Sequence, residues 1–325
     1  MHRLRLQCAI LAFCDAQMAQ EKNADGALWQ GHLTVHKAFR KAATVVDDSR
    51  PVEKRRFQTH WNKYLKLSQS FYVSFISRLG THYGRGNLGK VAERLGITIK
   101  ESVPGTKTPP ETQVVVHHMV YMCIIRIGDL TRYQHQIKQE RAYLLRSHII
   151  YALAQEFEPD IGLAHNQMAV TLDGLGADRL SVIFHFFMSA ISDQKQVASR
   201  QNIASECKKL LAETDEARKG IPAVYWFLQL HANLFLGKLV STAKAATYHE
   251  LEDEVLNRVE QLVKEPVSDT VLSLVIMMGT NMSAWHASVM HLAQLRGEGR
   301  LSNPPIVLLL SFTAVVCVFV CIIGL

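Results

Sequence analysis

Apolar residues recur three or four positions apart through most of the chain, and that period selects helices. Over residues 57–79, Phe57, Trp61, Tyr64, Leu65, Phe71, Tyr72, Phe75, Ile76 and Leu79 form one stripe, with Lys63, Lys66 and Arg78 mostly off it. Pro51 sits where such a helix can begin, because the first helical position needs no N–H donor. An earlier helix is expected over 28–46. Residues 114–136 are apolar nearly all round, the pattern of a helix enclosed by neighbours. Helices over 140–157, 161–172, 178–192 and 197–218 follow, and their short connections favour antiparallel neighbours. Further helical periods run over 222–240, 248–264 and 267–294.

Breaks in the pattern divide the chain. ESVPGTKTPPETQ, with three prolines and a glycine, cannot hold a helix, so a loop is expected over 98–113. No stretch carries a convincing strand pattern. The expected fold is therefore all-α, built of antiparallel helical hairpins. Ala154 and Ala190, each near a helix end, stand close to the roughly 34-residue spacing of tetratricopeptide hairpins. The organisation expected is a leader over 1–26, a hairpin domain over 27–210, a helical-hairpin extension over 211–300, and an apolar tail over 306–325. The tail opens on Ile306, closes on Leu325 and carries no charge, which is bilayer-spanning length. It reads as a membrane tail anchor, with a terminal core helix as the alternative.

Composition adds little to this picture. Nearly half the residues are apolar and a fifth charged, as in a globular protein. The formal charge of +7 points mildly to acidic partners. The six cysteines are scattered without a CxxC pair, as in a reduced cytosolic or nuclear protein. Catalysis finds no support. His32 and His36 have metal-ligand spacing without the glutamate of an HExxH site, and there is no phosphate-cradling glycine loop. Neither a cofactor nor a metal is expected.

The informative residues lie in two short motifs. Gly128-Asp129-Leu130-Thr131-Arg132-Tyr133 ends the apolar helix, and Gly162-Leu163-Ala164-His165-Asn166-Gln167-Met168-Ala169 follows on a later one. A guanidinium fork at Arg132 suits bidentate phosphate binding, Tyr133 can add a hydroxyl, and the Asn166 amide can hold a peptide backbone. The same residues allow a plain ion pair, since Asp129 and Arg132 are three apart on one helix. Separately, Lys37, Arg40, Lys41, Arg50, Lys54, Arg55, Arg56, Lys63 and Lys66 are interleaved with Phe39, Phe57, Trp61 and Tyr64. Within that run Arg40, Lys41, Lys54, Arg55, Arg56, Lys63 and Lys66 form a candidate nucleic-acid patch. The alternative there is an aromatic core beneath a solvated basic face.

GDLTRY resembles the GDxxRY signature of 14-3-3 proteins, and GLAHN their GLALN element. The pair IGDLTRY and PDIGLAHNQMA more closely resembles the Est-type DNA/RNA-binding domain of the ever-shorter-telomere and SMG decay factors. Good resemblance covers about residues 114–205 and includes Ala198 and Asn202-Ile203; a weaker one extends over 29–297. It implies a 14-3-3-like or tetratricopeptide-like array in which Arg132 and Tyr133 grip phosphate and Asn166 the peptide backbone. Two positions depart from the pattern. Met188 stands for an arginine, and Thr34, counted from Leu28-Trp29, for a lysine that shares the phosphate; Lys37 is one turn away. The resemblance implies a non-enzymatic adaptor for a phosphorylated decay or telomere factor. It also implies contact with RNA, telomerase RNA included, or single-stranded DNA, in cytoplasm or nucleus. A paralogue keeping only the fold is the remaining reading.

Overall fold

In a computed structural model of the protein, the structure describes residues 1–46, 49–84, 86–100, 108–192, 194, 198–212 and 222–236. It also describes positions 250, 251, 253–255, 257, 258, 260, 261, 276, 277, 279 and 280. The helix expected over 267–294 for the most part, and the tail over 306–325, lie outside these residues. The chain divides into two compact units, Met1–Pro159 and Asp160–Leu325.

The first unit holds seven helices among its described residues: α1 (His2–Cys14), α2 (Ala16–Glu21), α3 (Ala24–Ala43), α4 (Pro51–Tyr83), α5 (Gly89–Leu95), α6 (Pro110–Lys138) and α7 (Arg141–Phe157). Prolines open both long helices at their first turn, Pro51 on α4 and Pro110 on α6. The loop expected over 98–113 is therefore shorter, because Pro110 starts a helix instead of preventing one. α6 packs between α4 and α7 and supplies the centre of the unit: Val120, Tyr121, Ile124 and Ile125 are wholly buried. It is the one helix among the described residues long and apolar enough to cross a membrane, and most of its apolar window is enclosed by protein. The stripe on α4 buries Trp61, Leu65, Tyr72, Phe75, Ile76 and Leu79. α1 folds back onto α3 and α4, tied by Arg5 Nη2 to Ser68 Oγ at 2.8 Å and by Tyr83 OH to the Ala12 carbonyl at 2.6 Å.

The second unit contains α8 (Gly162–Gly174), α9 (Arg179–Ile191), α10 (Ala198–Ala212) and α11 (Pro222–Phe235), each packed on the next. Asp178 caps α9 by accepting the Ser181 N–H at 2.8 Å. Phe186, Phe187, Ile203, Leu210, Phe227 and Leu230 meet in its core, with Val255 and Met277 from the later chain. α8 and α9 approach so closely that a Cβ on Gly162 would lie 2.4 Å from the Ser189 carbonyl oxygen. That contact explains the glycine at the head of GLAHN.

Candidate functional site

The GDLTRY segment lies on the last third of α6, where α3 and α7 also converge. Asp129 is its hub. Its carboxylate is almost fully buried and accepts the Tyr151 hydroxyl of α7 at 2.7 Å. Arg132 Nη2 donates to the same carboxylate at 3.4 Å, and Arg126 Nη1 lies 3.9 Å from it. Arg132 Nε points at Tyr151 OH, 3.4 Å away. The ion pair allowed by the sequence does form. It holds only one edge of the guanidinium: Arg132 Nη1 makes no bond among the described residues, and the side chain stays about a fifth exposed, at 21 %. Burial alone would lower the Arg132 pKa, but Tyr151 and Asp129 more than reverse this, so the group stays cationic.

Gly128 makes the hub possible. A Cβ there would stand 2.5 Å from the Tyr151 ring, so only glycine lets that ring lie against α6 with its hydroxyl on Asp129. Nothing in the sequence reading pointed to Tyr151, because its partner lies on a different helix.

Beside Arg132 the Tyr133 ring forms a platform. The guanidinium carbon of Arg132 is 5.2 Å from its centroid. On α3, His36 stacks on Tyr133 at 3.9 Å and 15°, and Trp29 lies nearly parallel at 6.5 Å. Arg126 covers the Trp29 ring at 4.5 Å and reaches Asp25 at 3.5 Å. Among the described residues, neither imidazole nitrogen of His36 finds a hydrogen-bond partner. Burial, with Arg40 and then Arg132 nearby, lowers its pKa to about 4. His32, one turn earlier, instead bonds Tyr64 OH at 2.9 Å; burial, followed by Arg5, lowers it to about 3. Among the described residues no cluster of three or more His, Cys, Asp or Glu side chains could hold a metal.

Asn166 belongs to the second unit. It is buried on α8, and its amide oxygen accepts from Asn202 Nδ2 of α10 at 2.9 Å. Its own NH2 makes no bond among the described residues. Next to it, His165 Nδ1 and His185 Nδ1 lie 2.8 Å apart, so one must donate and the other accept. The two departures from the family pattern carry no cation: Met188 is half-buried on α9, and the Thr34 hydroxyl turns back to the Gln30 carbonyl at 2.8 Å.

In the basic run, Arg40, Lys41, Arg55, Arg56, Lys63 and Lys66 are exposed and Lys54 is half-buried. The aromatics interleaved with them pack on one another: Phe39 stacks on Trp61 at 5.9 Å and meets Phe57 and Tyr64 at 5.6 and 5.7 Å. They form the seam between α3 and α4, beneath the basic face.

A family model described as telomerase activating protein Est1 matches residues 23–138, and one described as Est1 DNA/RNA binding domain matches residues 149–320. The second match runs through the apolar tail as far as residue 320. The chain is 27% identical over 148 residues to telomere elongation protein est1 of Schizosaccharomyces pombe, covering 43% of this chain and 30% of that protein. It thus spans about a third of that relative's length. Two solved structures share the fold at low identity. A crystal structure of Est1 and Cdc13 aligns with a TM-score of 0.72 and 12% identity over 99% of this chain and 65% of that one. A C. elegans SMG5–SMG7 complex aligns with a TM-score of 0.57 and 13% identity over 98% and 77%. The fold is the helical, 14-3-3-like one. Because the DNA/RNA-binding-domain match alone spans more than half of the chain, the protein belongs to the Est1 family of telomerase-associated proteins.

Proposed function

We propose that the chain is a non-enzymatic, phosphopeptide-binding adaptor of the telomere or mRNA-decay type, acting in nucleus or cytoplasm. One observation carries this reading. Arg132 is held on one edge by Asp129 and Tyr151 and lies beside the Tyr133 ring, which leaves Nη1 without a bond among the described residues to face a ligand. A preorganised guanidinium loses little freedom on binding and suits the doubly charged phosphate. The neighbours support a protein-binding role only by analogy: one was crystallised as Est1 and Cdc13, the other as an SMG5–SMG7 complex.

The test is capture from extract before and after phosphatase treatment, with Arg132→Gln beside the native chain. Partners should bind the native protein, release on dephosphorylation, and fail to bind the variant. Capture indifferent to both would remove the reading and leave a chain that keeps only the family fold.

A second reading, contact with RNA or single-stranded DNA, is favoured by the exposed Arg40, Lys41, Arg55, Arg56, Lys63 and Lys66 and, separately and for residues 149–320 only, by the match to a DNA/RNA-binding domain. Such binding should weaken steeply with salt, since each neutralised phosphate releases counterions. With the aromatics engaged in the α3–α4 seam, contact there would be to the backbone and tolerant of sequence.

A further inference from the structure

We propose that Thr108 is a phosphorylation site for a proline-directed kinase, and that Arg78 and Lys100 hold the resulting phosphate in a cleft of the first unit.

The chain has nine prolines, and only Pro109 follows a serine or threonine. Thr108-Pro109 is therefore the one Ser/Thr-Pro pair of the protein. Proline also sets the local conformation. A residue before proline is kept out of the helical region, and Pro109 itself has φ −55° and ψ 144°, the polyproline II geometry. Because α6 starts only at Pro110, the pair is extended, the form in which kinases take their substrates. Pro109 and Pro110 are exposed. Thr108 is half-buried, with its hydroxyl donating to the Tyr83 carbonyl at 2.9 Å. The transfer balances without a redox partner: Thr108 Oγ1 attacks the γ-phosphorus of ATP, the bond to ADP breaks as the new P–O bond forms, and the hydroxyl proton passes to the base of the kinase.

The surroundings suit the product. A cleft of about 1210 Å³ is lined by Thr108 and Pro109 together with Arg78, His82, Tyr83 and Lys100, all in the first unit. Hydrogen bonds fix its two sides on the end of α4. Ser77 Oγ donates to the Thr98 carbonyl at 2.5 Å, two residues before Lys100, while Tyr83 holds Thr108. Ser77 and Tyr83 are six residues apart, roughly 9 Å along the helix, so the long side chains of Arg78 and Lys100 start beside one anchor and Thr108 beside the other.

Arg78 and Lys100 are exposed and make no ion pair among the described residues. Asp15 is the carboxylate among the lining residues, and it already accepts the Met18 N–H at 2.9 Å as the cap of α2. Two unpaired cations beside a hydroxyl suit a group that adds nearly two negative charges there, through charge-assisted hydrogen bonds to a guanidinium and an ammonium. Roughly 33 Å along α6 separate Pro110 from Arg132, so this site is independent of the adaptor reading.

The experiment treats the full, folded chain with a cyclin-dependent kinase and Mg-ATP, beside Thr108→Ala and Thr108→Ser. Intact mass should show one added phosphate on the native chain and on Thr108→Ser and none on Thr108→Ala, with peptide mapping placing it at residue 108. No phosphate on the native chain, or equal incorporation in Thr108→Ala, overturns the proposal. Capture is read by phosphorus NMR titration of the phosphorylated chain. The second phosphate pKa, ordinarily about 6, should be lowered by about half a unit or more beside two cations. It should return in the double variant Arg78→Gln, Lys100→Gln but not in Arg94→Gln, which removes an exposed arginine of α5 outside the cleft. Circular dichroism checks that each variant keeps its helices. Equal phosphate pKa values in the native chain and the double variant would leave Thr108 a kinase substrate and overturn the assignment of Arg78 and Lys100.

Discussion

Asp129 is an almost fully buried carboxylate whose closest partner is not an arginine but the Tyr151 hydroxyl, at 2.7 Å. Tyr151→Phe removes that donor and leaves Arg132 at 3.4 Å and Arg126 at 3.9 Å as compensation. A buried carboxylate short of one hydrogen bond should cost about 1–3 kcal/mol in a urea unfolding measurement. A change under about 0.5 kcal/mol would mean that the arginines alone satisfy it. His36 gives the opposite case, since neither nitrogen is bonded among the described residues. Its pKa of about 4 lies below the ordinary 6.5, so between these values the unfolded chain binds a proton that the folded chain refuses. Stability should therefore be fully present above about pH 6.5 and fall as pH drops toward 4, with His32 and His165 acting in the same direction. His36→Phe should keep or raise the melting temperature at pH 7.5 and make the acid-side loss shallower; an unchanged acid slope would show that His36 does not titrate this way.

At the scale of elements, two glycines set how closely helices approach. Gly128→Ala would drive a methyl into the Tyr151 ring, 2.5 Å away, and Gly162→Ala into the Ser189 carbonyl oxygen at 2.4 Å. A ring can tilt, though Tyr151 would then surrender its bond to Asp129. A backbone carbonyl cannot move without shifting α9, where Ser189 Oγ is itself bonded to the Gly162 carbonyl at 2.5 Å and to Ser199 at 2.6 Å. Both substitutions should destabilise by about 1–3 kcal/mol or more, with Gly162→Ala the worse. Equal melting temperatures for Gly162→Ala and the native chain would mean that the α8–α9 approach is looser than described.

For the whole molecule, the sharpest prediction concerns residues 306–325. By length and hydropathy the stretch could span a bilayer, but the Est1 DNA/RNA-binding-domain match continues through it to residue 320. That continuity makes the stretch part of the matched domain. The full chain should accordingly enter the aqueous phase in detergent phase separation, and a chain cut after Pro304 should melt earlier or aggregate. Recovery of the full chain in the detergent phase, with the cut chain intact, would restore the membrane anchor.

The helical class, the long helices α4 and α6 and the GDLTRY and GLAHN motifs were legible because each depends on residues near in sequence: a 3.6-residue apolar period, a proline at a first turn, a motif on one helix face. α5, between Gly86 and Gly96, was not, since seven residues are too few for a period to show. The sequence singled out Arg132 and left two roles open, phosphate ligand or ion-pair partner of Asp129. Tertiary structure showed the pair formed with one guanidinium edge left over, because Tyr151 arrives from α7 and divides the work. It likewise turned the aromatics of the basic run inward and laid His36 on Tyr133, contacts between separate helices that no spacing along the chain encodes. A sequence fixes which face of a helix is apolar; which side chain from another helix meets it depends on how the helices pack.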